Sequence, residues 1–240
     1  MVSGLRPLSE LGQEAAVAEA RRRLEAVRRR IERAASRVGR DPQEVTLLAV
    51  GKRHPLSAIE ALRAAGQRDF GENYLQELRD KARALPDGPP VRWHAIGPVQ
   101  RNKARYAARL AHVVHTVSRV TLAEELSRRA GAAGRTLDIY VQVDLAGEPQ
   151  KAGVPPEALG GLLEACRALP ALRLRGLMTL PPASPDPEAA RPWFRRLRRL
   201  AETHELAGLS MGMSADLEVA VEEGATVVRV GTALFGPRPA

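Results

Sequence analysis

The stretch Val45-Thr46-Leu47-Leu48-Ala49-Val50-Gly51-Lys52-Arg53-His54-Pro55 begins as an apolar run and breaks off at a glycine and a lysine. Such a run reads as a strand covered on both faces, of the kind found in parallel sheets. Pro55 then opens a helical pattern that turns Ile59 and Leu62 inward and closes before Gly66, with proline at the start and glycine past the end. Strand, abrupt stop and helix make one βα unit.

The same unit recurs along the chain. Further strands are expected near residues 69–71, 91–96, 113–117, 137–145, 172–178, 209–211 and 227–230. Helices are expected over 74–85, 102–110, from Thr121 to 131–134, 155–168, around Trp193-Phe194-Leu197-Leu200, over 215–223, and as a last turn at 231–235. Thr121 and Glu124 have capping-box spacing. Pro192 marks either the start of its helix or a kink. Ahead of the first strand, Val17, Leu24, Val27 and Ile31 stripe an amphipathic helix over 14–38. Eight βα units in about 250 residues indicate an α/β fold, a (β/α)8 TIM barrel. A doubly wound open sheet is the alternative, but its Gly-rich dinucleotide fingerprint is missing. No linker or low-complexity segment divides the chain, so residues 1–240 are expected to form a single domain.

Composition narrows the setting. The aromatic content is 3%, so the core must be built from Leu, Val, Ala and Ile. A lone cysteine, Cys166, excludes an internal disulfide and fits a reducing compartment. No apolar run approaches the ~20 residues of a membrane span, and the start of the chain lacks a signal-like apolar segment. A cytoplasmic protein with no membrane contact is expected. The net charge of +9 raises nucleic-acid binding. The excess is Arg spread over Glu-bearing helices such as Arg21-Arg22-Arg23-Leu24-Glu25, which reads as a solvated face, so no nucleic-acid partner is expected. No metal is expected either. His112 and His115 have odd spacing near a strand, and His54, His94 and His204 belong to separate elements.

Only four of the 37 basic residues are lysines, namely Lys52, Lys81, Lys103 and Lys151. Where charge alone is needed the chain writes Arg. A lysine at the end of a buried strand therefore points to chemistry that needs an amine, such as Schiff-base formation with an aldehyde. The competing reading is a strand-end lysine that reaches solvent or pairs with a carboxylate.

Active sites of barrels lie at the C-terminal ends of strands, and phosphates bind after strands seven and eight. There the sequence has Ser210-Met211-Gly212-Met213-Ser214 and Arg229-Val230-Gly231-Thr232, each leading into a helix start. Backbone amides, close-approach glycines and hydroxyls make an anion cradle. Ser214 and Thr232 are also ordinary N-cap residues, but capping alone does not explain two such starts side by side. A ligand with an aldehyde at one end and a phosphate at the other would span Lys52 and this cradle, and pyridoxal 5′-phosphate (PLP) is that ligand. Arg229 could then face the pyridine nitrogen, or instead form a salt bridge to Glu72 or Asp216.

Val50-Gly51-Lys52, Phe70-Gly71-Glu72-Asn73-Tyr74, Trp93-His94-Ala95-Ile96-Gly97, Gln100-Arg101-Asn102-Lys103, Val114-His115-Thr116-Val117, Arg175-Gly176-Leu177-Met178 and the two stretches above resemble the pyridoxal phosphate homeostasis protein family (the YggS/PROSC group). The resemblance runs from Val45 almost to the end of the chain. It implies a barrel of the alanine-racemase type, PLP fold type III, with PLP held as a Schiff base on Lys52. It also implies that Asn73, His94 and Met178 line the pocket. Ser210, Ser214, Gly231 and Thr232 would bind the phosphate, with Arg229 near the pyridine nitrogen. The implied role is intracellular PLP homeostasis, through buffering or delivery of PLP, with PLP-dependent enzymes as partners and amino-acid and keto-acid balance as the outcome. A monomer or a dimer is expected. The family pattern often has Ser before the lysine, Thr after it and His-Leu after the third-strand glycine. This chain has Gly51, Arg53 and Pro98-Val99 there.

A weak PLP-dependent racemase is the alternative. Two-base racemisation needs a second base opposite the lysine, which alanine racemase draws from a C-terminal β-domain. The sequence ends at Ala240, after the eighth unit, and its only tyrosines are Tyr74, Tyr106 and Tyr140. An open pocket without strong catalysis is therefore expected.

Overall fold

The computed structural model describes residues 5–148 and 152–237. Its strands are β1 (Thr46–Val50), β2 (Asp69–Glu72), β3 (Arg92–Ala95), β4 (Val113–Val117), β5 (Leu137–Gln142), β6 (Leu172–Met178), β7 (Gly208–Met213) and β8 (Val227–Val230). They are parallel, neighbour one another in chain order, and close through β8 onto β1. Helix α1 (Gln13–Arg37) precedes the barrel. The helices α2 (Leu56–Ala64), α3 (Leu75–Ala84), α4 (Ala104–Leu110), α5 (Val120–Gly131), α6 (Leu159–Arg167), α7 (Arg191–Thr203), α8 (Leu217–Glu222) and α9 (Thr232–Phe235) follow the successive strands. The (β/α)8 barrel is the fold read from the sequence.

Strands such as β1 and β4 are buried on both faces. In β1, Leu47 and Ala49 join the layer packed beneath the helices, while Leu48 and Val50 point into the barrel. The interior is filled by Leu48, Val50, Ile96, Val113, Tyr140, Met178 and Val227. It also holds polar groups, including His115 and Arg229. Register shifts fall between Val114 and Val117 on β4, between Ile139 and Tyr140 on β5, and between Ser210 and Met213 on β7. Bulges of this kind re-aim the side chains they carry.

Two local expectations change. Helix α5 starts at Val120 with Arg119 as N-cap and no side-chain cap. Thr121 is thus already inside the first turn, and the capping box does not form. Pro192 sits in the first turn of α7, where its missing N–H costs nothing, so the helix starts there and does not kink. Among the described residues, no helix is long and apolar enough to cross a membrane.

Helix α1 is fastened to the barrel by arginines. Buried Arg23 donates from Nη2 to Arg6 O at 2.7 Å and from Nη1 to Leu234 O at 3.2 Å, and its Nε bonds Glu19 at 2.6 Å. Arg30 pairs with Glu218 of α8 at 2.6 Å. We expect Arg23→Ala to strand both carbonyls and lower the unfolding free energy by about 3 kcal/mol in a urea titration. Arg29→Ala removes only an exposed pair with Glu25 and is expected to stay within about 0.5 kcal/mol of the parent.

Candidate functional site

Lys52 directly follows β1 and is half-buried. The turn that carries it is held at several points. His54 N donates to Gly51 O at 3.0 Å, and Lys81 Nζ donates to the same carbonyl at 2.8 Å. Arg53 takes the left-handed conformation, with φ 62°, and its amide donates to Glu77 Oε2 at 2.9 Å. A non-glycine residue pays about 1 kcal/mol for that conformation, so the surrounding bonds impose it. A Cβ on Gly51 would stand 2.6 Å from Ile59 Cδ1 and 2.7 Å from Glu72 Oε1. A side chain there would require the tips of Ile59 and Glu72 to shift.

Glu72 ends β2 and is 1% exposed. Its Oε1 accepts from Lys81 Nζ at 2.7 Å, and its Oε2 has no hydrogen-bond partner. Burial pushes the carboxyl up to about 7, with the Lys81 ammonium pulling the other way. Lys81 is thus a buried brace that ties Gly51, Glu72 and Glu77 together. Lys103 is the half-buried N-cap of α4, and Lys151 lies outside the described residues. Lys52 is the lysine that stands at a strand end.

Strand β1 pairs with β8, Ala49 facing Val230, so the Lys52 turn adjoins the loop at Gly231. Ser214 is half-buried just beyond β7, and Thr232 is exposed just beyond β8. Near the end of β7, Gly212 has φ +88°, and a Cβ there would lie 2.4 Å from Ala220 Cβ. The N-caps of α8 and α9 are Asp216 and Gly231, and neither helix has a side-chain cap. The hydroxyls of Ser214 and Thr232 therefore do not cap these helices. The amides of a first helical turn have no partner within the helix; the start of α9 adjoins the Lys52 turn, and the start of α8 follows β7, one strand further round.

The other expected residues separate by depth. Asn73 is half-buried at the end of β2. Met178 is 1% exposed within the interior apolar cluster. His94 is not at the rim with Lys52. It pairs with Val113, the first residue of β4, and lines a cavity of about 280 Å³ at the opposite, N-terminal end of the barrel. Strand stagger is the reason: β3 enters the barrel low, so a residue near its end remains deep. Ser210 is also displaced from the cradle. It pairs with Val227, the first residue of β8, is 0% exposed, and has its hydroxyl engaged inside.

That hydroxyl lies in a chain of hydrogen bonds through the barrel. Arg229 donates from Nη1 to Ser210 Oγ at 2.8 Å and from Nη2 to Thr179 O at 3.0 Å. Ser210 Oγ lies 2.8 Å from His115 Nδ1, His115 Nε2 lies 2.9 Å from His94 Nδ1, and His94 Nε2 lies 3.0 Å from Asp69 Oδ1. Burial lowers the affinity of both imidazoles for a second proton, of His115 most strongly. Burial also lowers Arg229 to about 10, against the opposing field of Asp216. The salt bridge from Arg229 to Glu72 or Asp216, the alternative from the sequence, is not what forms, since Glu72 pairs with Lys81 and Arg229 bonds neutral oxygens. Sequence reasoning assigned no site role to Asp69 or His115. The available signal was a polar residue in the middle of the apolar strand Val-Val-His-Thr-Val.

Residues 23–239 match the family model described as alanine racemase, N-terminal domain. A Pseudomonas aeruginosa protein named pyridoxal phosphate homeostasis protein is 49% identical over 211 residues, 87% of this chain and 91% of its own. One from Aquifex aeolicus with the same name is 41% identical, covering 90% and 97%. Among solved structures, PipY of Synechococcus elongatus with PLP bound has a TM-score of 0.76 at 41% identity, covering 86% of this chain and all of that one. Alanine racemase of Clostridium difficile has a TM-score of 0.69 at 14% identity, covering 93% of this chain but 58% of its own, and shares the fold.

The raised Glu72 carboxyl has a consequence for stability. Its folded value, about 7, lies above the ordinary 4.5, so folding favours the protonated form. The contribution is full below pH 4.5 and is lost as pH rises towards 7. We expect Glu72→Gln to lack this loss, so that its stability relative to the parent rises by up to about 3 kcal/mol between pH 4.5 and 7. Denaturant titrations across that range are the check.

Proposed function

The chain belongs to the pyridoxal phosphate homeostasis protein family, and from that premise we propose that it binds pyridoxal 5′-phosphate and serves to buffer and deliver it. The observation that carries the reading is the adjacency of unlike groups on one rim, with the amine of Lys52 after β1, the uncapped start of α9 next to it after β8, and that of α8 one strand further round after β7. The donor set suits the cofactor. When bound, PLP supplies an aldehyde that an amine can capture and a ring that withdraws electrons.

In this reading Lys52 holds the aldehyde carbon covalently. The braced turn at Gly51 keeps that amine facing the barrel mouth. Ser214 and Thr232, with the first-turn amides of α8 and α9, would hold the phosphate. Asn73 walls the site, and Met178 lies beneath it. Arg229 offers a guanidinium to the ring nitrogen. A fixed cation there keeps the nitrogen unprotonated and weakens the ring as an electron sink.

Storage and transfer of the cofactor therefore suit the site better than fast turnover. No second base stands out among the tyrosines. Tyr74 is 49% exposed, Tyr106 lies against Arg105 and Arg79, and Tyr140 stacks on His115 inside the barrel. PLP-dependent enzymes are the proposed recipients, and the cytoplasm the proposed setting, in keeping with the free, buried Cys166.

Mixing the protein with PLP is expected to give a visible absorption band that borohydride fixes on Lys52, and Lys52→Ala is expected to lose it. A peptide map with the cofactor on Lys103 or Lys151 would overturn the assignment. Ser214→Ala with Thr232→Ala is expected to weaken PLP retention about tenfold or more, from the loss of two bonds to a charged group, while the band itself survives. Unchanged retention counts against the cradle. Racemase assays with several amino acids are expected to show rates far below the ~10 s⁻¹ typical of enzymes.

A further inference from the structure

Arg229 is the interior charge that poses the sharpest problem. The side chain is 4% exposed, and its hydrogen bonds go to a serine hydroxyl and a backbone carbonyl, both neutral. Burying a guanidinium without compensation costs several kcal/mol. Asp216 contributes a field at longer range. From Ser210 a hydrogen-bonded chain runs on to the Asp69 carboxylate at the other end of the barrel.

The donor order along that chain follows from its ends. The Asp69 carboxylate only accepts, so neutral His94 must carry its proton on Nε2. Its Nδ1 is then bare and must accept from His115 Nε2–H. His115 Nδ1 is bare in turn and accepts from the Ser210 hydroxyl. The Ser210 oxygen lone pair is left facing Arg229 Nη1, which only donates. Every link agrees with its neighbours, and Thr179 O takes the second guanidinium nitrogen. The neutral state of both imidazoles fits their burial. Ring packing supports the arrangement, with His115 stacked on Tyr140 at 4.8 Å and 12°. The other charges that bear on the two histidines are Arg92 and Asp138 at the N-terminal end, and Arg229 itself.

We propose that Asp69, His94, His115 and Ser210 are positioning residues that lock the Arg229 guanidinium in one orientation and carry the counter-charge of Asp69 to it through an ordered row of hydrogen bonds. The relay runs from the N-terminal end of the barrel to the cofactor side. It holds a fixed cation where a free arginine would sample several rotamers and draw water into the interior. Its effect on the cofactor's ring nitrogen rests on the PLP reading above, whereas the order within the relay does not.

The test has one arm without cofactor. In the apoprotein at pH 7, 15N-correlated NMR of the imidazoles is expected to show His94 and His115 neutral, each with the proton on Nε2 and a bare Nδ1. An Nδ1–H form or a doubly protonated ring at either residue overturns the relay. The second arm uses PLP. His115→Phe keeps the stack on Tyr140 and cuts the row, and Asp69→Asn keeps an acceptor for His94 while removing the charge. Both are expected to shift the visible absorption maximum in the same direction and to weaken PLP binding, His115→Phe by about tenfold and Asp69→Asn by less. Asp69→Asn is also expected to leave both tautomers unchanged. A folded His115→Phe, checked by near-UV dichroism, with the parent's spectrum and affinity overturns the positioning role. If His115→Phe fails to fold, Asp69→Asn decides by the same readouts. Failure of the Lys52→Ala control to abolish the band counts against the cofactor assignment and leaves the NMR arm to judge the relay alone.

Discussion

Pairing of β8 with β1 is the constraint on which the rest of the molecule depends. Four register pairs, from Thr46 facing Val227 to Ala49 facing Val230, close the sheet. Closure removes the open edges of the sheet, so every strand has a paired neighbour on each side. It also brings the first strand's lysine beside the last strand's glycine, although 179 positions separate Lys52 from Gly231 in the chain. An open sheet with the same strands would leave the two groups at opposite edges.

Closure also creates an interior that apolar side chains fill only in part. Leu48, Val50, Ile96, Met178 and Val227 occupy much of it, and the residues between them are histidine, serine and arginine. These polar groups are tolerated because each finds a partner at hydrogen-bond distance. Register shifts flank the row: His115 lies within the β4 shift, Tyr140 at the β5 shift and Ser210 at the β7 shift. Each bulge spoils a short piece of the ladder and turns a side chain to where the row needs it.

Two lysines divide the work that one might have been given. Lys81 is buried and hydrogen-bonds Glu72 beneath the turn, and its bond to Gly51 O stiffens the segment that presents Lys52. Gly51 lets the tips of Glu72 and Ile59 close over the turn, where a Cβ would push them aside. The scarcity of lysine drew attention to Lys52, whereas the bracing part of Lys81 shows only in its bonds to Gly51, Glu72 and Glu77.

Much of the fold was legible in the sequence. Strands buried on both faces write continuous apolar runs, and helices with one wet face write a period of 3.6, so all eight strands and the position of Lys52 followed from local pattern. The rim groups at Ser214, Gly231 and Thr232 were legible for the same reason, since each lies just past a strand. His94 and Ser210 were misplaced because height within a barrel is set by the stagger between strands, which no local pattern records. Asp69 and His115 were given no site role because that role exists only between strands. What the sequence determined alone is the order of elements and which residues end them. What the tertiary structure decided is which polar residues meet inside, because closure, stagger and bulges fix distances between side chains far apart in the chain.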